Sequence, residues 1–238
     1  MRRFFSAELD ETSKVFAFDS EQSAHITRVL RLKPDETVRV FDGRGNEFIA
    51  NLLKVDSKQV TAKLKNRVEP ASPESALNFV LAVALLKGEK FDMVIQKAVE
   101  LGVSRFVPLV SKRSDVKPKN ADKKLVRWKR IIIEASKQCG RAKLMYVEPP
   151  QEFFAFIPKA SGLKLFFAET GGDDFLANDT CNSVTALIGP EGGWSAEEIE
   201  TAKNVGFLAI TFGGRILRAE TAAIAFSAII QNRFGDIT

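Results

Sequence analysis

The spacing of apolar residues changes character once along the chain, and that change divides it. Between Thr37 and Lys65 apolar positions fall in short, partly alternating runs, Thr37–Asp42, Glu47–Val55 and Gln59–Lys65. A period near two is what half-buried strands require. Asp42-Gly43-Arg44-Gly45-Asn46 separates the first two runs and is a hairpin turn signal. Gly43 and Gly45 have the spacing that opens a dinucleotide fingerprint, but Phe48 stands at the third glycine position and no helical pattern follows. The hairpin is the better reading. SAHITRVLRL, around His25, has the pattern of a short helix. Residues 1–70 are therefore predicted to form a small β-rich domain, with the Pro- and Ser-containing stretch Glu69–Ala76 supplying a linker at 71–76.

From residue 77 to 238 strands and helices alternate. Leu77–Leu85 is an apolar run of strand length. Phe91–Leu101 repeats at helical spacing (Phe91, Val94, Ile95, Ala98) with Gly102 as its stop, and Arg105–Val110 is the next strand. A strand-helix-strand order implies a parallel pair with a right-handed crossover. Lys123–Cys139 is a long amphipathic helix whose apolar face is Leu125, Trp128, Ile131, Ile132 and Ala135, ended by Gly140. Leu163–Ala168 and Ser183–Ile188 are further buried strands, and Ser195 with Glu198 is a capping box opening a helix over Ala196–Val205. Phe207–Phe212 is the last strand, followed by a helix over Ala219–Arg233 with Ile224, Ala225, Ala228 and Ile229 apolar. The fold class read from this order is α/β with a parallel sheet.

Composition narrows the chemistry. No apolar stretch approaches the roughly 20 residues of a membrane span. The basic start MRRFF turns acidic and polar at once, so no signal-peptide centre is expected, and the setting expected is cytoplasmic. Cys139 and Cys181 lack metal-ligand spacing, and His25 is the single histidine, so a His- or Cys-built metal site and a Ser/His/Asp triad are disfavoured. Net charge is +5, unevenly spread. Residues 1–70 carry 13 Lys/Arg against 11 Asp/Glu, residues 71–150 carry 16 against 8, and residues 151–238 carry 6 against 11. The excess is densest from Arg105 to Lys143. Such a stripe suits a polyanion, nucleic acid first. A solvated helix face would produce the same run.

Two glycine turns carry the candidate chemistry. LIGPEGGWS (Leu187–Ser195) and FGGRILRAETAA (Phe212–Ala223) each follow a strand-like run and lead into a helix. In an open parallel sheet that is the ligand position. Neither turn holds a nucleophile. They offer main-chain N–H and C=O groups that a ligand can approach where no Cβ intervenes, so a bound cofactor is expected to carry the reaction. GPEGG lacks the Lys-Ser/Thr of a phosphate-binding loop, and neither turn matches a Rossmann fingerprint.

Nearly end to end, the chain resembles the RsmE family, SPOUT-class methyltransferases that modify N3 of a uridine in bacterial 16S ribosomal RNA. The resemblance rests on RRFF (Arg2–Phe5), HITRVLRLKPDE (His25–Glu36), LLKGEKFDMVIQKAVELGV (Leu85–Val103), SKRSDV, RWKRIIIEASKQCGR, LIGPEGGWS and FGGRILRAETAA, in that order. Cys139-Gly140 and Phe212 depart from the expected residues without removing a charged group. The resemblance implies a PUA-like β-barrel that helps hold RNA, a SPOUT sheet with a C-terminal trefoil knot, S-adenosylmethionine as cofactor, and a homodimer acting on ribosomal RNA or the small ribosomal subunit. It implies cofactor contacts at Glu169, Gly189, Glu191, Gly192, Gly193, Phe212, Gly213, Ile216, Leu217 and Arg218. Arg218 and Glu220 are the candidate catalytic residues, with a mutual scaffold salt bridge as the alternative. Arg28, Arg31, Lys112, Arg113, Lys117, Gln138 and Arg141 are the candidate RNA contacts. A SPOUT enzyme of other RNA specificity and an RNA-binding relative without catalysis are the competing readings, and the general base is left unassigned.

Overall fold

The computed structural model describes residues 1–9, 14–56, 58–117, 120–168, 172, 181–211 and 215–237. The alternating N-terminal runs build a five-stranded sheet. Its strands are β1 (Arg3–Phe5), β2 (Val15–Ala17), β3 (Thr37–Phe41), β4 (Glu47–Val55) and β5 (Val60–Val68), in the order β1-β3-β4-β5-β2. β1 pairs with β3 in parallel; the other pairings are antiparallel. β1 and β2 were not expected, because three residues are too few to show a period. The inward residues Phe4, Phe16, Phe18, Val40, Phe48, Ala50, Leu52 and Val60 form the core, with Ile26 fully buried. Ile26 comes from the π-helical turn His25–Val29 that continues helix α1 (Ser20–Ala24), which Asp19 caps by accepting from Gln22 N at 2.7 Å. Burying that one side chain contributes about 1.5–3 kcal/mol.

This first unit spans Met1–Glu74 and also takes in Ser136–Leu144, which corrects the expected boundaries of 1–70 and 77–238. The reason is a buried polar joint. Glu47 is fully buried and accepts from Arg3 Nε and Nη2, both at 3.0 Å, from Arg39 at 3.2 Å and from Ala71 N at 3.0 Å. Burial alone would raise its pKa, but the Arg3 and Ala71 hydrogen bonds and the two guanidinium charges outweigh that, and it lies below the ordinary glutamate value. Arg3 also donates to the carbonyls of Ser136 at 2.7 Å, Lys137 at 3.2 Å and Arg141 at 3.2 Å. Ser72 N donates to Gly140 O at 3.1 Å, so the expected linker is partly built into the unit.

The second unit, Ser75–Ala135 with Met145–Thr238, contains the alternating elements. In chain order they are β6 (Asn78–Ala84), α2 (Glu89–Glu100), β7 (Arg105–Val110), α3 (Ala121–Cys139), β8 (Tyr146–Val147), β9 (Gln151–Glu152), α4 (Phe153–Phe156), β10 (Leu163–Phe167), β11 (Ser183–Ile188), α5 (Ala196–Asn204), β12 (Leu208–Ile210) and α6 (Ala219–Phe234). The sheet runs β12-β10-β11-β6-β7-β8, with β9 also on β7, and every pairing is parallel. Six of the seven residues of β6 are buried, as a central parallel strand covered on both faces requires. Trp128 is 3% exposed and packs on Phe91 with ring centroids 5.1 Å apart, so it is a core residue. β12 is shorter than the expected Phe207–Phe212: Phe207 is buried in the core just ahead of it, and Phe212 lies outside the described residues.

Candidate active site

The carboxyl ends of β10 and β11 open onto a cavity of about 660 Å³ in the second unit. That volume falls within the range of small-molecule sites. Phe166, Phe167 and Ala168 line it from the end of β10 and Ile188–Trp194 from the end of β11. Ile216–Ala219 and Ala222 line it from the entry to α6. The first glycine turn and the described residues Ile216–Ala219 of the second motif therefore serve one site.

Local chemistry fixes the first turn. Gly193 N donates to Pro190 O at 2.9 Å, closing a four-residue turn, and Gly193 has φ 68°, a left-handed value that suits glycine. Trp194 folds back on Gly189: a Cβ there would stand 3.1 Å from indole Cε2 and Nε1. Ser195 then caps α5. Its Oγ accepts from Glu198 N at 3.2 Å, while Glu198 Oε2 accepts from Ser195 N at 2.8 Å. Glu198, fully buried, also accepts from Lys112 N at 2.9 Å, joining the segment after β7 to the segment after β11. Beside it, Arg113 lines the cavity and donates to Gly192 O at 3.2 Å.

A charged cluster borders the same turn. Lys90, on the first turn of α2, lines the cavity, bonds Glu191 and stands 3.5 Å from Glu220 Oε1. The Glu191 hydrogen bond, ahead of the charges of Glu191 and Glu220, holds the Lys90 ammonium above the ordinary lysine value. Glu220 is 8% exposed, and its Oε2 has no partner among the described residues. It is not among the residues lining the cavity. The expected alternative, an Arg218–Glu220 bridge, is not formed; Glu220 pairs with Lys90 instead. Arg218 lines the cavity at the N-cap of α6, is exposed, and its guanidinium has no hydrogen-bond or ion-pair partner among the described residues.

The structure thus gathers Gly189, Glu191, Gly192, Gly193, Ile216, Leu217 and Arg218 around one cavity. Glu169, Phe212 and Gly213 lie outside the described residues. The expected RNA contacts are divided. Arg28, Arg31 and Gln138 are exposed on the first unit; Lys112, Arg113 and Lys117 are exposed on the second. Lys112 is engaged, its ammonium bonded to Glu197 and 5.5 Å above the Phe154 ring. Arg141 is 5% exposed and binds Glu74 through Nε at 3.1 Å and Nη2 at 2.8 Å, within the first unit. Sequence reasoning missed Lys90, Trp194 and Ala219. For Lys90 the available signal was its position just after Gly88 in LLKGEKFDM, at the start of a helix.

Known proteins match this arrangement over nearly the whole chain. A family model described as an RNA methyltransferase domain matches residues 73–231, and one described as an RNA methyltransferase PUA domain matches residues 18–65. The chain is 30% identical to the ribosomal RNA small subunit methyltransferase E of Buchnera aphidicola subsp. Schizaphis graminum, covering 96% of this chain and 94% of that protein. Among solved structures, it is 32% identical to a ribosomal RNA small subunit methyltransferase E from Neisseria gonorrhoeae bound to S-adenosyl methionine, with TM-score 0.93 and full coverage of both chains. A methyltransferase from Legionella pneumophila, solved with the bound cofactor SAM, is 34% identical with TM-score 0.93 over 98% of each chain.

Proposed function

Because the chain belongs to the ribosomal RNA small subunit methyltransferase E family, we propose that its cavity binds S-adenosylmethionine for methyl transfer to N3 of a uridine in small-subunit ribosomal RNA. Membership makes it an RNA methyltransferase dependent on that cofactor; the base and the atom are our reading. The observation that carries it is the cavity itself. Gly192 and Gly193 leave main-chain groups open, Ile216 and Leu217 offer apolar surface to a flat ring, and Arg218 adds an unpaired cation among the described residues.

These residues fit the cofactor. At Gly193 an added Cβ would meet nothing within 4 Å, so the turn keeps open space on its ligand side, and Ile216 is 70% exposed although it lines the cavity. Main-chain groups of Gly189–Gly193 and the side chains of Ile216 and Leu217 would hold the adenosyl part. When bound, the cofactor supplies an electrophilic methyl on sulfonium. The chain must then orient the acceptor and deal with one proton. Uridine N3 carries a hydrogen, so as the new N–C bond forms and the S–C bond breaks, that proton must leave to solvent or a base. Arg218 is placed to stabilise negative charge spreading onto the uracil carbonyl oxygens as it goes. Lys90, held between Glu191 and Glu220, ties the Pro190–Gly193 turn to the first turn of α2.

Three finer features belong to the same proposal. The C-terminal segment is threaded as a trefoil knot. The protein works as a homodimer through α6, whose Ile224, Ala225, Ala228 and Ile229 make a half-exposed apolar stripe beside buried Phe226 and Ile230. It acts in the cytoplasm, where ribosomal subunits are assembled.

The test is nucleoside analysis after incubation of the purified protein with S-adenosylmethionine and small subunits, or their free RNA, from a strain lacking the gene. Label in 3-methyluridine is expected. Label confined to a ribose oxygen or to another base would overturn the assignment.

A further inference from the structure

A capping box asks its third helical residue for one acceptor, and Gln serves there as well as Glu. Glu198 is used twice. Its Oε2 accepts from Ser195 N at 2.8 Å, inside the box, and its Oε1 accepts from Lys112 N at 2.9 Å, 86 residues earlier in the chain. The side chain that receives these two N–H groups has no exposure to solvent. Only a group with two accepting oxygens meets both. An amide has one oxygen, and its NH2 would turn a donor on whichever N–H it faced. Ser195 alone therefore explains a Glu or a Gln at 198, whereas Lys112 requires the carboxylate.

The segment held in this way carries Arg113. Arg113 lines the main cavity and donates Nη1 to Gly192 O at 3.2 Å, and its other N–H groups have no partner among the described residues. It also lines a smaller cavity of about 70 Å³, shared with Leu86, Asp115 and Gly192, so it stands where two concavities meet. Ser114 N donates to Ser111 O at 3.1 Å, which closes a turn around Lys112 and Arg113 and makes them move together. The first turn of α5 grips Lys112 a second time, through Glu197 and the ammonium. Those two side chains are 48% and 62% exposed, and a surface pair of that kind contributes little. The buried bond to Glu198 is what sets the spacing between this segment and the Pro190–Gly193 turn.

We propose that Glu198 is a positioning residue for methyl transfer. Through the Lys112 N–H it holds Arg113 at a fixed distance from the turn, so that the cation offered to the RNA and the main chain offered to the cofactor stay in register. The inference rests on the reading that the cavity holds the cofactor and that Arg113 meets the RNA. Glu198 touches neither ligand. A misplacement of about 1 Å between bound reactants can cost about 100-fold in rate, so the loss of one such bond has a measurable effect.

The test is Glu198→Gln in the full chain. The bond inside the box spans three residues and closes a far smaller loop, so the amide oxygen stays on Ser195 N and the Lys112 bond is the one lost. By hydrogen exchange, the Lys112 amide should exchange about 10-fold faster or more, the loss of one charge-assisted hydrogen bond, with the Ser195 amide unchanged. Single-turnover methylation should fall about 10–100-fold, while affinity for S-adenosylmethionine stays within about threefold. A lower melting temperature is common to a positioning and to a purely structural role; a double-mutant cycle separates them. Because Glu198 acts through Arg113, adding Glu198→Gln to Arg113→Ala should change the rate by less than about twofold. Rate losses that multiply, or a normal rate per folded molecule in Glu198→Gln, would overturn the proposal and leave the enzymatic reading intact. A Gln variant that fails to fold is covered by the unaltered protein: saturating S-adenosylmethionine should slow exchange at the Lys112 amide, because the turn and this segment form one unit. Exchange at Lys112 that ignores the cofactor would overturn the coupling. If the cofactor slows that exchange and the unaltered protein still methylates no RNA, the tie between turn and segment stands and the enzymatic reading fails.

Discussion

Replacing Gly192 with valine should separate ligand binding from folding. Gly192 does not have a left-handed φ, and a Cβ there would meet only Arg113 Cβ and O, both at 3.5 Å, an ordinary contact distance. The fold should tolerate the change within about 0.5 kcal/mol, as an exposed loop substitution does. Inside the cavity the isopropyl group stands where a ligand would reach the main chain. If it denies two backbone hydrogen bonds, and each group left unpaired costs about 1–3 kcal/mol, the loss is about 2–6 kcal/mol. That corresponds to about 30-fold to more than 10⁴-fold in Kd. Gly193→Ala is the control. Its Cβ would have nothing within 4 Å, but φ 68° imposes about 1–2 kcal/mol of backbone strain. In a chain of this length that lowers the melting temperature by about 2–8 °C, at roughly 2–4 °C per kcal/mol, with a smaller effect on affinity. Calorimetry with S-adenosylmethionine and a thermal melt of each variant suffice. A Gly192→Val protein that melts normally and binds within twofold of the parent would refute the placement of the ligand on this turn.

Arg218→Lys keeps the charge but loses the planar fork, so single-turnover methylation should fall about 100-fold while the melting temperature and cofactor affinity hold; a normal rate would move the catalytic role elsewhere. Glu47→Gln leaves the Arg3 guanidinium, 8% exposed, without its main counterion and should cost about 3 kcal/mol in urea unfolding. Because the Glu47 pKa is depressed in the folded state, its contribution is present above the ordinary glutamate value and lost as pH falls through the folded value. The parent should therefore lose stability on acidification more steeply than Glu47→Gln, and parallel acid curves would contradict the joint. Ile229→Asp, on the half-exposed stripe of α6, should shift sedimentation from dimer to monomer; an unchanged mass would remove the stripe from the interface.

What was legible in the sequence follows the range of the interaction responsible. Glu47–Val55, Arg105–Val110 and Ser183–Ile188 begin and end where their apolar runs do, because strand burial imprints a local period and the flanking turns are chemically marked. The capping box of Ser195 and Glu198 is equally local, spanning three residues. The glycine turn at the end of β11 pointed to the cavity for the same reason. The capture of Ser136–Leu144 by the first unit was not legible, since it depends on Arg3 reaching carbonyls more than 130 residues later. The Arg141–Glu74 pair was not legible either, since Glu74 is distant in sequence and carries no motif. Lys90 was overlooked likewise: its two carboxylates come from Glu191 and Glu220, on other elements.

The discontinuous make-up of the first unit sets a timetable for synthesis. When Glu74 leaves the ribosome, the sheet has all five strands, but the carbonyls that complete the hydrogen bonding of Arg3 have not been made. Residues 75–144 must be added first, which at about 5–20 residues per second takes roughly 4–14 s. During that interval the nascent sheet exposes a guanidinium with unfilled donors and a Gly43 edge awaiting Leu144, whose N–H donates to Gly43 O at 3.0 Å in the finished protein. An N-terminal fragment released at residue 74 would be held permanently in that waiting state. Ribosome pausing within residues 75–135 should therefore lengthen the period of protease sensitivity of the sheet, even though every one of its strands has already been translated.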